Sequence, residues 1–257
     1  MLKSIIHAGG ESTRLREFFN GPKPLIPIGD HTLLWFHLQP LIKHKIISEY
    51  VFTLRYEHEV VQEYIEKIKN KLNIKTNSIV EPKPIGRAGV IRFGIENGII
   101  DTDTSYLMSY ADDLIPVDIK ELIDYAFNAE KKDKSLIIVM AKRTLNPFGV
   151  GVTEKAGDII ELKYFKEKPE LPLIDNHFAN TGMMLFLSEA MKEFENVPLD
   201  KGVIHPEYEI IPKLVKQNKV AVFLVDRWLS VNHVSDYKNV LKMGSEKLLE
   251  FLKVLRL

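Results

Sequence analysis

The chain has 257 residues, with 35 Lys plus Arg against 35 Asp plus Glu, and no cysteine. That length carries one large α/β domain or two small ones around a sizeable core. Balanced charge excludes a global basic field for nucleic acid, and the lack of cysteine excludes disulfides, thiolate nucleophiles and cysteine zinc sites.

A short apolar strand is expected over residues 4–7, then a helix over 33–43 and a second strand over 50–54. Residues 58–72 read as a helix with Val61, Ile65, Ile68 and Leu72 on one face. A third strand is expected over 78–80, a helix over 88–97, and a strand over 106–108 that runs into Asp112. Such alternation predicts an α/β fold with a doubly wound, mostly parallel, Rossmann-like sheet, its loops clustered at the strand C-termini. Farther on, strands are expected over 136–141, 149–153, 159–165, 183–187 and 220–225, with a hairpin turn at 155–158. The tail from Asp236 carries leucines at helical spacing and should dock on the body or on a second subunit, so a homo-oligomer stays open. No hexapeptide repeat is present, which argues against a C-terminal β-helix. No apolar run approaches the roughly 20 residues of a membrane span, and no secretory signal pattern opens the sequence, so a cytoplasmic protein is expected.

Residues 8–27 carry the most chemistry. Ala8, Gly9 and Gly10 follow the first strand, where glycines let backbone N–H groups approach an anion. Arg14 adds charge, and Lys23 is fixed between Pro22 and Pro24, which restrict the backbone around it. No lysine–serine pair closes a Walker loop, and the third glycine of a dinucleotide fingerprint is missing. A plain strand–turn with two solvated cations is the alternative for the loop alone.

The run Ala8-Gly9-Gly10-Glu11-Ser12-Thr13-Arg14-Leu15, followed by Pro22-Lys23-Pro24-Leu25, resembles the signature of the sugar-1-phosphate nucleotidyltransferases, or NDP-sugar pyrophosphorylases. Residues 81–89 (EPKPIGRAG) are similar to the family's base loop, and Ala111-Asp112 stands where it has Gly-Asp. Glu167-Lys168-Pro169 is similar to its EKP motif, Asn180-Thr181-Gly182 to its sugar loop, and residues 228–237 to its closing segment. The resemblance implies a short form of the family, without the β-helix. It implies a nucleotide-binding half (1–115), a sugar-phosphate-binding half (116–235) and a C-terminal helix (236–257).

The activity implied is magnesium-dependent, in-line transfer from an NTP to a hexose 1-phosphate, giving an NDP-sugar and pyrophosphate. Ala8, Gly9, Gly10, Ser12, Thr13, Arg14, Glu81 and Gly86 would bind nucleotide, and Glu167, Lys168, Asn180, Thr181 and Gly182 the sugar phosphate. Arg14, Lys23, Asp112 and Lys168 would be catalytic, with Asp112 a magnesium ligand. Holding two polyanions in line requires cations and positioning, not a protein nucleophile.

Ser12 and Ala111 replace family glycines, and Ser230 stands where many members carry a second magnesium aspartate. Val231-Asn232 resembles the branch of N-acetylglucosamine-1-phosphate uridylyltransferases, which implies that Asn232 completes the metal site with Asp112. The departures leave open a non-catalytic, sugar-nucleotide-sensing paralogue; a cytidylyltransferase for a phosphorylated alcohol is a third reading. Asp113 reads as a helix cap or solvated acid, Glu167 as a sugar acceptor or lysine partner, and His7 as a packing residue. His58, His177 and His205 lack metal-ligand spacing. Glu81, as an acceptor, suits the amino edge of guanine or cytosine; uridylyl, thymidylyl and guanylyl transfer all stay open.

Overall fold

A computed structural model of the chain describes residues 1–142, 149–167, 178–200 and 202–253. In chain order the first elements are β1 (Leu2–His7), β2 (Pro27–Ile28), β3 (His31–Thr32), α1 (Leu33–Ile42), β4 (Ile47–Leu54), α2 (His58–Leu72) and β5 (Thr76–Val80). They are followed by α3 (Gly86–Glu96), β6 (Ser105–Tyr110), β7 (Asp113–Leu114), α4 (Ile119–Glu130), β8 (Leu136–Lys142), β9 (Val150–Ala156) and β10 (Ile159–Lys166). The last are β11 (Phe178–Phe186), α5 (Ser188–Met191), α6 (Pro206–Lys216), β12 (Val220–Val225), β13 (Leu229–Ser230) and α7 (Val234–Leu252). No helix among the described residues is long and apolar enough to cross a membrane.

Two compact units emerge: Met1–Lys83 with Ser109–Lys120 and Trp228–Leu257, and Pro84–Met108 with Glu121–Arg227. In the first, β5, β4 and β1 pair in parallel. All but one residue of β4 is buried, the pattern of a parallel strand covered on both faces. The tail docks on this unit. Tyr237, Val240, Leu248 and Leu252 of α7 share a core with Leu15, Ile26, Ile28, Phe36, Leu114 and Val231. Two hydrogen bonds tie α7 to the segment after Lys23: Tyr237 Oη to the Pro27 carbonyl (3.0 Å) and Ser245 Oγ to that of Ile28 (3.3 Å). Leu248→Ala should therefore cost about 3 kcal/mol of stability by transfer and cavity terms, read as a lowered denaturant midpoint at unchanged m-value.

The second unit is mixed, not mostly parallel. β6–β11, β11–β8, β12–β10 and β10–β9 pair antiparallel, and β8–β12 pair in parallel. β9 also pairs with β11, so the strands β11, β8, β12, β10 and β9 close into a circuit. Gly157 turns the β9–β10 hairpin at φ +68°. Helices α4 and α6 have no counterpart in the sequence reading. Ile119, Leu122, Ala126 and Ala129 are buried at helical spacing on α4, whereas prolines 206 and 212 interrupt the signal of α6.

One ion pair anchors this circuit. The Lys134 side chain is 2% exposed, and its Nζ reaches Glu161 Oε1 at 2.7 Å and the Asn218 carbonyl at 2.8 Å. Hydrogen bonds from Lys134 and then Lys163 hold the Glu161 carboxyl down to about 2, against an ordinary 4.5. A carboxyl depressed by folding stabilises the native state above its unfolded pKa, and that contribution fades as pH falls towards the folded one. Glu161→Gln should lower stability by about 2 kcal/mol at neutral pH. The gap from wild type should close between roughly pH 4.5 and pH 2, as followed by denaturant titration.

Candidate active site

The glycine loop of the first unit is built against β4. Ala8 is buried and its N–H donates to the Thr53 carbonyl at 2.9 Å. A Cβ on Gly9 would stand 2.9 Å from the Arg55 backbone nitrogen, so only glycine fits there. Lys23 N–H donates to the Gly10 carbonyl (3.1 Å), which closes the loop onto the proline-flanked lysine.

Ser12 has φ −80°, an ordinary value for a residue with a side chain. Its hydroxyl donates to the Gly21 and Phe19 carbonyls, so it ties the loop to itself. Neither Ser12 nor Ala111 is among the non-glycine residues with positive φ; the loss of glycine costs neither position its backbone conformation. Thr13 and Arg14 are exposed on a single 3₁₀ turn anchored by the buried Leu15. Arg14 has no ion-pair partner among the described residues.

Lys23, Asp112 and Asn232 come together. The Lys23 ammonium donates to Asp112 Oδ2 and, at 2.7 Å, to Asn232 Oδ1. Backbone bonds hold the two acceptors: Ala111 N–H to the His7 carbonyl (3.1 Å), and Val231 N–H to the Asp112 carbonyl (2.9 Å). Asp236 Oδ2 accepts from the N–H groups of Asn232 (3.1 Å) and His233 (2.8 Å), fixing the chain where α7 begins.

Asp113, read from sequence as a cap or solvated acid, is neither. It is 5% exposed, lies opposite Ser230 in the β7–β13 ladder, and accepts from Trp228 Nε1 at 2.9 Å. Burial raises its pKa well above the ordinary carboxylate range, and the neighbouring Asp112 charge adds to the shift. Its carbonyl accepts from His37 Nδ1 at 2.8 Å, so the His37 proton is on Nδ1 and Nε2 accepts from Ser109 Oγ at 2.9 Å. Burial lowers the His37 pKa, in keeping with a neutral ring. Strand alternation is the signal that exposes Asp113: if Asp112 faces a site, its neighbour in extended chain faces inward.

Arg55 was also missed. Its guanidinium pairs with Glu11 Oε1 (3.3 Å) and Glu81 Oε2 (3.4 Å), linking the glycine loop to the residue read as a base acceptor.

In the second unit, Gly86 adopts φ +81°, and a Cβ there would collide with the Ile204 backbone. Ile204 N–H donates to the Ile85 carbonyl (2.9 Å), Ala88 N–H donates to that of Ile204 (3.0 Å), and Arg87 pairs with the buried Glu207 at 2.9 Å. Asn180, Thr181 and Gly182 are on β11 at a register shift against β8. Thr181 Oγ1 donates to the Val139 carbonyl (2.8 Å), while Asn180 Oδ1 accepts from Gly182 N–H (2.9 Å). Glu167 lies against Gly149, where a Cβ would meet Oε2 at 2.5 Å. Lys168, Pro169 and His177 lie outside the described residues.

The sequence pattern of the family described as Nucleotidyl transferase matches residues 3–244. The chain belongs to that family. It is 25% identical over 249 residues to mannose-1-phosphate guanylyltransferase 1 of Arabidopsis thaliana, covering 96% of this chain and 66% of that protein. It thus spans about two thirds of the length of that relative. A Bacillus anthracis protein described as a glucose-1-phosphate thymidylyltransferase, solved with sucrose, superposes with a TM-score of 0.76 at 18% identity, covering 95% of each chain. The inositol-1-phosphate CTP transferase of T. maritima gives 0.70 at 18% identity, covering 96% of each. At such identity these two likenesses speak for the α/β nucleotidyltransferase fold alone, with its mixed sheet and helices.

Proposed function

We propose that the chain transfers a nucleotidyl group from an NTP to a hexose 1-phosphate, giving an NDP-sugar and pyrophosphate. The observation that carries it is the Lys23 ammonium held jointly by Asp112 and Asn232 beside a glycine loop that leads to the exposed Arg14. A phosphate oxygen of the sugar phosphate attacks the α-phosphorus, the α–β P–O bond breaks, and pyrophosphate leaves opposite. The attacking oxygen is already ionised, so no protein nucleophile or base is needed. Arg14 takes the triphosphate and the leaving group, Lys23 the phosphates at the reaction centre, and Lys168 the sugar phosphate. Preorganised cations of this kind contribute several kcal/mol to such a transfer.

The donor set fits magnesium. A carboxylate and an amide oxygen, both hard ligands, converge on one cation, as expected for an ion held by one or two protein groups plus phosphates. Magnesium held by Asp112 and Asn232 would supply charge neutralisation to the triphosphate. Ser12, Ala8, Gly9, Gly10 and Thr13 shape the anion loop; Glu81 and Gly86 are assigned to the nucleotide. Glu167, Asn180 and Gly182 serve the sugar.

Glu81 braced by Arg55 can accept from a guanine edge, and the Arabidopsis relative is named for guanylyl transfer to mannose 1-phosphate. GTP with mannose 1-phosphate is therefore the expected best pair. A matrix of ATP, GTP, CTP, UTP and dTTP against several sugar 1-phosphates and phosphorylated alcohols, with and without magnesium, tests this by pyrophosphate release. Binding without turnover in every cell would replace the proposal with the sensing paralogue. Turnover confined to CTP and a phosphorylated alcohol would replace it with the third reading.

A further inference from the structure

Arg55 is the first residue past β4, and β4 runs between β1 and β5 in the parallel part of the sheet. On one side lies the loop that leaves β1, and on the other Glu81, which follows β5. The backbone is close to both. A Cβ on Gly9 would stand 2.9 Å from the Arg55 nitrogen, and Glu81 N–H donates to the Leu54 carbonyl at 2.8 Å. The side chain repeats this bridge: Nη2 donates to Glu11 Oε1 at 3.3 Å, and Nε pairs with Glu81 Oε2 at 3.4 Å. Strands two places apart in a sheet are about 10 Å from each other. A planar guanidinium, with donors around its rim, holds an acid on each side; a lysine has one compact charge and cannot.

Glu81 needs such a hold in order to discriminate. A glutamate has three side-chain torsions, and a carboxylate free to follow any donor rewards every base that carries an N–H group. Held in place, it accepts along set directions, and a base with no donor there leaves it unpaired. The penalty is real because the Glu81 side chain is only 14% exposed. Guanine presents two adjacent donors, N1–H and N2–H, which two fixed oxygens can meet together. Uracil and thymine have one N–H between two carbonyls, and adenine and cytosine set an acceptor beside their amine.

We propose that Arg55 is the positioning residue for base choice: gripped by Glu11 on the glycine-loop side, it fixes the Glu81 carboxylate for the paired N–H donors of guanine. The proposal rests on the nucleotidyl-transfer reading, which assigns Glu81 to the nucleotide. Arg55 acts through Glu81 and not on the base itself.

The test is a double-mutant cycle in equilibrium binding of GDP and UDP to the full chain, measured by calorimetry without a sugar phosphate. Arg55→Met should lower the ratio of GDP to UDP affinity by about tenfold, the scale for one hydrogen bond to a charged group. Any loss from charge alone is shared by both nucleotides and cancels in the ratio. Arg55→Lys should not restore it. In the Glu81→Ala background, Arg55→Met should change the ratio by less than about twofold. Thermal unfolding checks folding, and Arg55→Gln carries the cycle if Arg55→Met does not fold. An unchanged ratio in Arg55→Met would overturn the proposal, since a purely structural arginine weakens both nucleotides alike. So would an equal fall in the Glu81→Ala background, or a wild type that does not prefer GDP. Failure of the transfer reading shows separately, as no pyrophosphate release in the substrate matrix.

Discussion

Lys23→Met should lower kcat for pyrophosphate release by about a thousandfold with the fold intact, the upper range for loss of one preorganised charge at a reaction centre. The ammonium is the cation on which Asp112 and Asn232 converge, and its side chain is 13% exposed. Methionine keeps the length and apolar stem, so the core under residues 22–26 should survive and the melting point should move little. Lys23→Arg should not rescue, because a planar fork cannot replace a compact charge between two oxygens. A second measurement gives the opposite sign. Lysine and a divalent ion compete for the same two oxygens, so Mn²⁺ affinity should rise in Lys23→Met while turnover falls. Activity within tenfold of wild type would remove Lys23 from the reaction centre.

Gly86→Ala should be nearly as damaging by a different route. At φ +81° a side chain is strained, and the added Cβ would approach the Ile204 backbone nitrogen at 2.6 Å and its carbonyl oxygen more closely still. Backbone cannot rotate out of the way as a side chain can. The two hydrogen bonds between Ile85–Ala88 and Ile204 must open, and the pairing of Arg87 with buried Glu207 is strained with them. About 3 kcal/mol or more of stability should be lost, with a rise in the KM for the nucleotide before any change in kcat. Gly98→Ala is the control: that residue also has positive φ, but no atom lies within 4 Å of the added Cβ. It should cost about 1 kcal/mol, from backbone strain alone.

Much of this was legible in the sequence because its signals are local. The helix over 58–72 and the strand over 220–225 have the bounds that periodicity gives them. Prolines 22 and 24 mark Lys23 as a fixed side chain before any fold is known. What was not legible depends on pairing between distant segments. The antiparallel circuit of the second unit follows from register, which no strand carries in its own composition. Arg55 reads as one more surface cation until its pairing with Glu11, 44 residues away, is seen. Asp113 was misread because its type suggests solvent. The groups that bury it, Trp228 and Ser230, arrive 115 residues or more later.

The distance along the chain between Lys23 and Asn232, 209 residues, has a consequence for how the molecule comes to be active. The chain leaves the first unit after Lys120 and re-enters it at Trp228, so the cation site closes a very large loop. Closing such a loop is entropically slow, unless the intervening segment has already collapsed into its own structure and shortened the effective tether. On a ribosome, Lys23 and Asp112 are exposed long before Asn232 is made. Refolding followed by Trp228 fluorescence and by regain of turnover should therefore share one late phase, after most backbone protection has formed.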